Sequence, residues 1–417
     1  MTYQRIEKVA LLKRLKDEPR RFTQVIYGPR QVGKTTLVRQ IMEELDYPHH
    51  LVAADAVPAG DGLWITQQWE NVRILQQQQA DKPFLLVIDE VQKIDNWSEQ
   101  IKAEWDRDAA EGKDIRVVLL GSSRLMQQKR LTESLAGRFE ATYLGHWSYK
   151  EMKDAFSLKA EEFVWFGGYP GAITLREDED RSKSYVRDAL LETSISKDIL
   201  MLTRVDKPAL MKRFFELGSA YSGQILSFTK IMGQLTDAGN TTTLANYLEL
   251  LNDAGLLAGL EKYSPNMVRK RSSSPKFQVH NTAIMSGISG ESLDTLLEDH
   301  EAWGRWVESA VGAHLINQVF KDKKLFLYYW REGNDEVDYV VEYKKQVIGL
   351  EVKSGKTGKL SGLNAFDKKF NPKKSLLIGA GGILWQEFLQ MDVVDLFLKK
   401  AVNMTAFFGF FCLKIFI

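Results

Sequence analysis

The stretch that most constrains this chain is Gly28-Pro29-Arg30-Gln31-Val32-Gly33-Lys34-Thr35, followed by Thr36. It satisfies G-x-x-x-x-G-K-[ST] in full. A short β-prone run, Thr23 to Tyr27, precedes it. An amphipathic helix follows, with Leu37, Val38, Ile41, Met42 and Leu45 as its apolar residues. The two glycines let the backbone curl so that successive N–H groups point at phosphate oxygens, and the helix adds the positive end of its dipole. Lys34 is expected to reach the β- and γ-phosphates, and Thr35 to hold Mg²⁺ through its hydroxyl. A Gly-containing turn could match by chance, but the flanking strand and helix argue against that. ATP and Mg²⁺ are therefore the expected ligands, bound by residues 28–36.

A second stretch supports the first. Phe84-Leu85-Leu86-Val87-Ile88 is a continuous apolar run ending in Asp89-Glu90. Such a run fits a strand buried on both faces of a parallel sheet. Acids at its C-terminal end lie where ligands sit in open α/β sheets. Asp89 is expected to assist Mg²⁺ and Glu90 to polarise the attacking water. Taken alone, the pair would read as a helix N-cap.

Around these motifs the chain alternates strands and helices. Residues 1–22 read as one helix. His50 to Asp55 reads as a strand, 64–80 and 96–110 as helices, and Ile115 to Ser123 as a strand ending in small polar residues. Ser122 can reach the γ-phosphate or the lytic water from there. A fifth strand, Glu140 to Leu144, completes a three-layer α/β/α domain over residues 1–150. Arg138 has two readings: an arginine finger toward a γ-phosphate, in cis or in a neighbouring subunit of a homo-oligomer, or a surface salt bridge.

Residues 151–205 read as a helical linker or lid. Residues 206–290 carry helices at 208–219, about 227–235 and 241–253, the last with the N-cap cluster Thr241-Thr242-Thr243. Two β-like runs follow, Leu256 to Tyr263 and Lys276 to Val279. Three helices and a hairpin make the winged-helix pattern. Arg269, Lys270, Arg271 and Lys276 would give the hairpin a basic tip able to track a DNA backbone. The competing reading is a packing lid with a solvated basic loop.

Residues 298–400 form the last unit. A helix from Trp303 to Val319 carries Glu308. Strands follow at 325–330, 336–341 and 347–353. Alternation puts Glu351 and Lys353 on one face, and pairing brings Asp338 to them. Asp338 and Glu351 would hold Mg²⁺, Lys353 would position or deprotonate water, and Glu308 would support them. Such a triplet also arises by chance in charged β-hairpins.

Composition sets outer limits. Basic and acidic residues nearly balance, 56 against 55, so a nucleic-acid role needs local patches. A single cysteine, Cys412, excludes an intramolecular disulfide framework and a cysteine-rich zinc site. That fits a reducing cytoplasm. The apolar tail, 401–417, is short and broken by Lys414, so stable membrane insertion is not expected.

The loop, Asp89-Glu90-Val91-Gln92-Lys93, Gly121-Ser122-Ser123, Ser134-Leu135-Ala136-Gly137-Arg138 and Gly167-Gly168-Tyr169-Pro170 together resemble the prokaryotic AAA-type, archaeal-ATPase-like proteins with a C-terminal PD-(D/E)xK nuclease-like domain. Tyr329-Trp330-Arg331, Glu336-Val337-Asp338-Tyr339 and Glu351-Val352-Lys353-Ser354-Gly355 extend the resemblance to about residue 400. It implies an AAA+-like P-loop core, a winged-helix lid and a restriction-endonuclease-like α/β domain. Asn281 departs from the pattern, standing where such chains often have Asp. The expectation is an ATP-hydrolysing AAA-type ATPase coupled to DNA binding or to Mg²⁺-dependent DNA cleavage. The alternative is a nucleotide-dependent switch or scaffold whose nuclease-like domain is a non-catalytic binding module.

Overall fold

A computed structural model describes residues 3–79, 82–122, 134–200, 205–235, 239–265, 273–355 and 360–398. Arg269, Lys270, Arg271, Cys412 and the apolar tail lie outside the described residues.

The first sheet has strands β1 (Thr23–Gly28), β2 (His49–Ala53), β3 (Phe84–Asp89), β4 (Ile115–Ser122) and β5 (Phe139–Tyr143). Their order is β2-β3-β4-β1-β5, all parallel. The central strands are buried on both faces, which explains their unbroken apolar runs. Val25, Leu86, Ile88, Val117 and Leu119 face a core shared with the helices Trp64–Gln77 and Trp97–Ala110. Ile26, Leu85, Val87, Val118 and Leu120 face the opposite core, with the helices Glu7–Lys16 and Lys34–Met42. The first helix is shorter than the 1–22 expected. It stops at Lys16, ahead of Asp17-Glu18-Pro19, where the proline disfavours helical backbone in the residue before it.

The middle of the chain is helical. It includes Tyr149–Phe156, Ala160–Phe166 and two π-helical stretches, Tyr185–Leu191 and Ser194–Leu200. The helices Pro208–Ala220, Phe228–Met232 and Thr241–Asp253 follow. The last is capped by Asn240, whose side chain accepts from Thr243 N at 2.8 Å, so the threonines expected as the cap lie inside the helix.

Strands β6 (Leu257–Lys262), β7 (Lys276–Val279), β8 (Leu325–Glu332), β9 (Asp335–Tyr343), β10 (Gln346–Lys353) and β11 (Lys374–Gly379) form a mixed six-stranded sheet, ordered β11-β10-β9-β8-β6-β7. The β6–β7 hairpin therefore does not project as a free wing. β6 pairs with β7 on one side and with β8, in parallel, on the other. The helix His300–Lys321 buries Val307, Ala310, Val311 and Leu315 in an apolar core that runs from Tyr149 to Phe397. The middle and last parts of the chain thus share one core. No helix among the described residues is long and apolar enough to cross a membrane.

Candidate functional site

The phosphate loop has the backbone its glycines anticipate. A Cβ on Gly28 would lie 2.0 Å from the carbonyl oxygen of Leu144, which only glycine tolerates. Gly33 has φ +91°, a conformation side chains rarely adopt. It occupies the N-cap of Lys34–Met42 and offers no side-chain cap, so the first N–H groups of that helix are left for an anion. Gln31, at φ 60°, is a non-glycine in the left-handed region, a strain that commonly marks ligand loops. The loop is braced from outside. Val32 O accepts from Arg5 Nη1 at 3.3 Å and from Trp147 Nε1 at 3.0 Å. Arg5 itself is buried and pairs with Glu151 at 2.6 Å.

Lys34 is buried, and its ammonium donates to Gly28 O at 3.0 Å and Pro29 O at 2.8 Å. Burial lowers its pKa, opposed by the nearby carboxylates of Glu90, Asp198 and Asp89. Thr35 Oγ1 donates to Asp89 Oδ2 at 2.8 Å, linking the helix that follows β1 to the end of β3, two strands that β4 separates. Both are oxygen donors beside the loop, a set that suits a hard divalent ion such as Mg²⁺ held jointly with phosphate and water. Asp89 Oδ1 accepts from Glu90 N at 2.9 Å.

Glu90 also has left-handed backbone, φ 54°. Burial raises its pKa, opposed by Arg30 and Lys34. Its Oε2 accepts from Gln92 Nε2 at 2.8 Å. Gln92, which sequence reasoning gave no role, thus fixes the carboxylate. Ser122 stands opposite Gly28 in the β1–β4 ladder, and its hydroxyl is buried with no partner. A cleft of about 570 Å³ runs along the outer side of the loop, walled by Tyr3, Gln31, Gly33, Trp147 and Phe156.

Arg30 is engaged by the helical region. Its Nε and Nη2 donate to Asp198 Oδ2 and Oδ1, at 2.6 and 2.8 Å, and Nη2 lies 3.9 Å from Glu90 Oε2. Asp198 belongs to the π-helical stretch Ser194–Leu200 and is itself buried. The loop also packs against the segment after the helix Thr241–Asp253, because a Cβ on Gly255 would meet Pro29 Cγ at 2.7 Å.

Arg138 is placed differently from the finger reading in cis. Its carbonyl accepts from Thr23 N, at the start of β1. The phosphate loop leaves the far end of that strand, about 17 Å away at strand rise. The guanidinium instead pairs with Asp106, Nε to Oδ1 at 2.8 Å, as the salt-bridge alternative describes.

The C-terminal acids do converge, but not around a metal. Tyr339 pairs with Leu350 in the β9–β10 ladder, and continuing that register sets Asp338 beside Glu351. Lys353 Nζ lies 2.7 Å from Glu351 Oε1. Asp338 Oδ2 accepts from Val352 N at 2.7 Å. Lys276, expected on an exposed basic hairpin tip, is wholly buried here. Its ammonium donates to Glu308 Oε1 at 2.6 Å and to Asp338 O at 3.1 Å, and lies 3.7 Å from Asp338 Oδ1. It therefore cannot contact a DNA backbone in this arrangement. Burial and the neighbouring Asp338 raise the pKa of Glu308, and likewise that of Glu351, each to about 7. Among the described residues no group of three or more His, Cys, Asp or Glu is arranged to hold a metal ion. The expected Mg²⁺ site at Asp338 and Glu351 is not ready-made: a protein ammonium stands 3.7 Å from Asp338 Oδ1, and Asp338 Oδ2 is taken by Val352 N.

Comparison with known proteins agrees with the first part of this picture. Residues 20–153 match the family model described as an AAA domain. Residues 157–295 and 303–386 match two families described only as domains of unknown function. Residues 20–153, with the phosphate loop, are thus similar to an AAA-type P-loop domain. Uncharacterised proteins of Mycobacterium tuberculosis and Mycobacterium bovis are each 28% identical over 342 residues, 81% of this chain and 71% of theirs. Among solved structures, Aeropyrum pernix ORC1 in complex with DNA aligns at 12% identity and TM-score 0.31, covering 72% of this chain and 94% of that one. Thermotoga maritima RuvB aligns at 18% identity and TM-score 0.32, covering 62% and 88%. At such scores neither structure bears on the site.

Proposed function

We propose that this protein is an ATP-hydrolysing conformational switch, in which the nucleotide state of the phosphate loop is transmitted to the helical region and the C-terminal sheet. The observation that carries the reading is the bidentate ion pair between Arg30 of the phosphate loop and Asp198 of the helical region. A triphosphate brings several negative charges to the loop and competes with Asp198 for the same guanidinium. Nucleotide binding and release of the helical region are then linked, and linkage is reciprocal: whatever weakens the pair strengthens nucleotide binding.

In this reading the adenine sits in the cleft beside Trp147 and Phe156. Lys34 exchanges its two carbonyl acceptors for phosphate oxygens. Thr35 and Asp89 would hold Mg²⁺, which would neutralise phosphate charge. Glu90, aligned by Gln92, accepts a proton from the attacking water, and Ser122 donates to the γ-phosphate. The C-terminal unit acts as a binding module. Its convergent Asp338, Glu351 and Lys353 favour a cleavage reading, but the Lys276 ammonium among the acids counts against it. Plasmid cleavage in Mg²⁺ or Mn²⁺ that disappears in Lys353→Ala would restore that reading.

The direct test is Asp198→Asn. Losing a buried charge pair of about 1.5–3 kcal/mol should tighten ATP binding roughly 10- to 100-fold. Amide exchange in residues 185–200 should also lose much of its dependence on nucleotide. Unchanged affinity for a fluorescent ATP analogue would show that Arg30 and Asp198 are not a nucleotide-sensitive contact.

A further inference from the structure

The place where a nuclease-like reading wants a metal is occupied by a side chain from a different part of the chain. Lys276 lies at the start of β7, outside residues 298–400, yet its ammonium ends among Glu308, Asp338 and the more exposed Glu336. Its Nζ also lies 4.7 Å from the centroid of the Tyr339 ring. The surroundings hold it there. Tyr339 Oη lies 2.9 Å from both Gln278 Oε1 and Glu308 O, which share its one proton, tying β7, β9 and the helix His300–Lys321 together. Residues 223–226 bond the other edge of β7: Gly223 N and Leu226 N donate to Phe277 O and Pro275 O. With β6 on its first edge, β7 is fixed on both sides, and Lys276 cannot withdraw without moving the hairpin.

The charges argue the same way. Two ammonium groups, Lys276 and Lys353, stand against the three little-exposed carboxylates of Glu308, Asp338 and Glu351. An unpaired carboxylate in such a place is costly, and a cation at hydrogen-bond distance offsets part of that cost. One acceptor in the cluster, Glu351 Oε2, is buried with no partner.

We propose that Lys276 is the built-in cation of the C-terminal acidic cluster, standing in for a divalent metal, so that the cluster takes up Mg²⁺ or Mn²⁺ only when the ammonium is removed. The C-terminal unit is then a metal-free module while the hairpin is seated, and the acids serve to dock the hairpin. This inference concerns groups remote from the phosphate loop and does not depend on the nucleotide switch.

The test uses the full chain without nucleotide and Mn²⁺ as the probe, with binding read from the loss of the free-ion paramagnetic resonance signal. Wild-type protein and Glu351→Gln should bind Mn²⁺ alike, with no site that depends on Glu351. Lys276→Met should gain about one Mn²⁺ per chain, and Lys276→Met combined with Glu351→Gln should lose it. A wild-type Mn²⁺ site that vanishes in Glu351→Gln would overturn the proposal, since metal and ammonium would then coexist. A folded Lys276→Met that binds no additional Mn²⁺ would overturn it as well, because the ammonium would not be standing in for a metal. Should Lys276→Met fail to fold, the milder Lys276→Gln replaces it, and the comparison of wild type with Glu351→Gln still decides.

Discussion

Single residues around the phosphate loop have separable jobs. Under the proposed function Lys34 trades its two carbonyl acceptors for phosphate oxygens, so Lys34→Ala should weaken ATP binding by roughly 10- to 100-fold, the worth of a charged hydrogen bond. Glu90→Gln should bind ATP as the wild type does but turn over about 10²–10⁴-fold more slowly, the usual contribution of a general base. A burst and steady-state assay separates the two effects, and a Glu90→Gln protein with full turnover would remove Glu90 from the mechanism. His146 illustrates how one atom type changes a residue's chemistry. Its Nε2 lies 2.9 Å from Gly255 O, which requires a proton on that nitrogen, and its Nδ1 lies 3.2 Å from Asn281 Nδ2, an amide that can only donate. Burial, with Arg5 and Lys34 adding to it, lowers the pKa of His146 to about 4. A histidine with a depressed folded pKa contributes stability that is complete above about 6.5 and is lost as pH falls toward 4, roughly 3 kcal/mol in all. Asn281→Asp would place an acceptor against Nδ1, favour the imidazolium and flatten that dependence. Denaturant unfolding at pH 7 and pH 5 checks it: equal losses in wild type and variant would contradict the account.

At the scale of elements, the parts that local sequence dictates are those with caps and periodicity. The helix Thr241–Asp253 begins where Asn240 accepts from Thr243 N, and it buries Leu244, Tyr247, Leu248 and Leu251 on one side. Asn240→Ala should cost about 0.5–2 kcal/mol, measurable as a lower denaturation midpoint with an unchanged m-value. A null effect would mean that packing alone sets that helix start. The helices Trp64–Gln77 and Trp97–Ala110 are joined by a buried charge network in which Arg73 reaches Glu104 at 2.7 Å and Asp108 at 2.7 Å. Trp69 Nε1 donates to Asp108 at 2.6 Å in the same network. No spacing rule announces this, since each member reads as an ordinary surface charge on its own helix. The β6–β7 hairpin behaves similarly. Its two strands are legible from their apolar runs, but its parallel pairing with β8 is not, because the partner lies more than sixty residues further along.

At the scale of the molecule, the two acidic sites have opposite fates. At Asp89 and Glu90 the acids face a loop whose backbone N–H groups and Lys34 await an anion. At Asp338 and Glu351 the acids face a cation that the chain itself supplies. The helical region touches the first, through Asp198 on Arg30, and shares an apolar core with the helix that carries Glu308 of the second.

The sequence by itself determined the α/β sheet, the phosphate loop and the acids at the end of β3. Each rests on local rules: glycine conformations, a buried strand's apolar run and a helix that must begin at Lys34. It also brought Asp338, Glu351 and Lys353 together, because strand alternation and one hairpin suffice. The tertiary structure alone decided what faces those groups. Arg138 lies at the wrong end of a parallel sheet to serve the loop in cis, a matter of strand direction. Lys276 is drawn from a basic stretch into a buried acidic cluster, because unpaired carboxylates in a core demand a cation wherever the chain can deliver one.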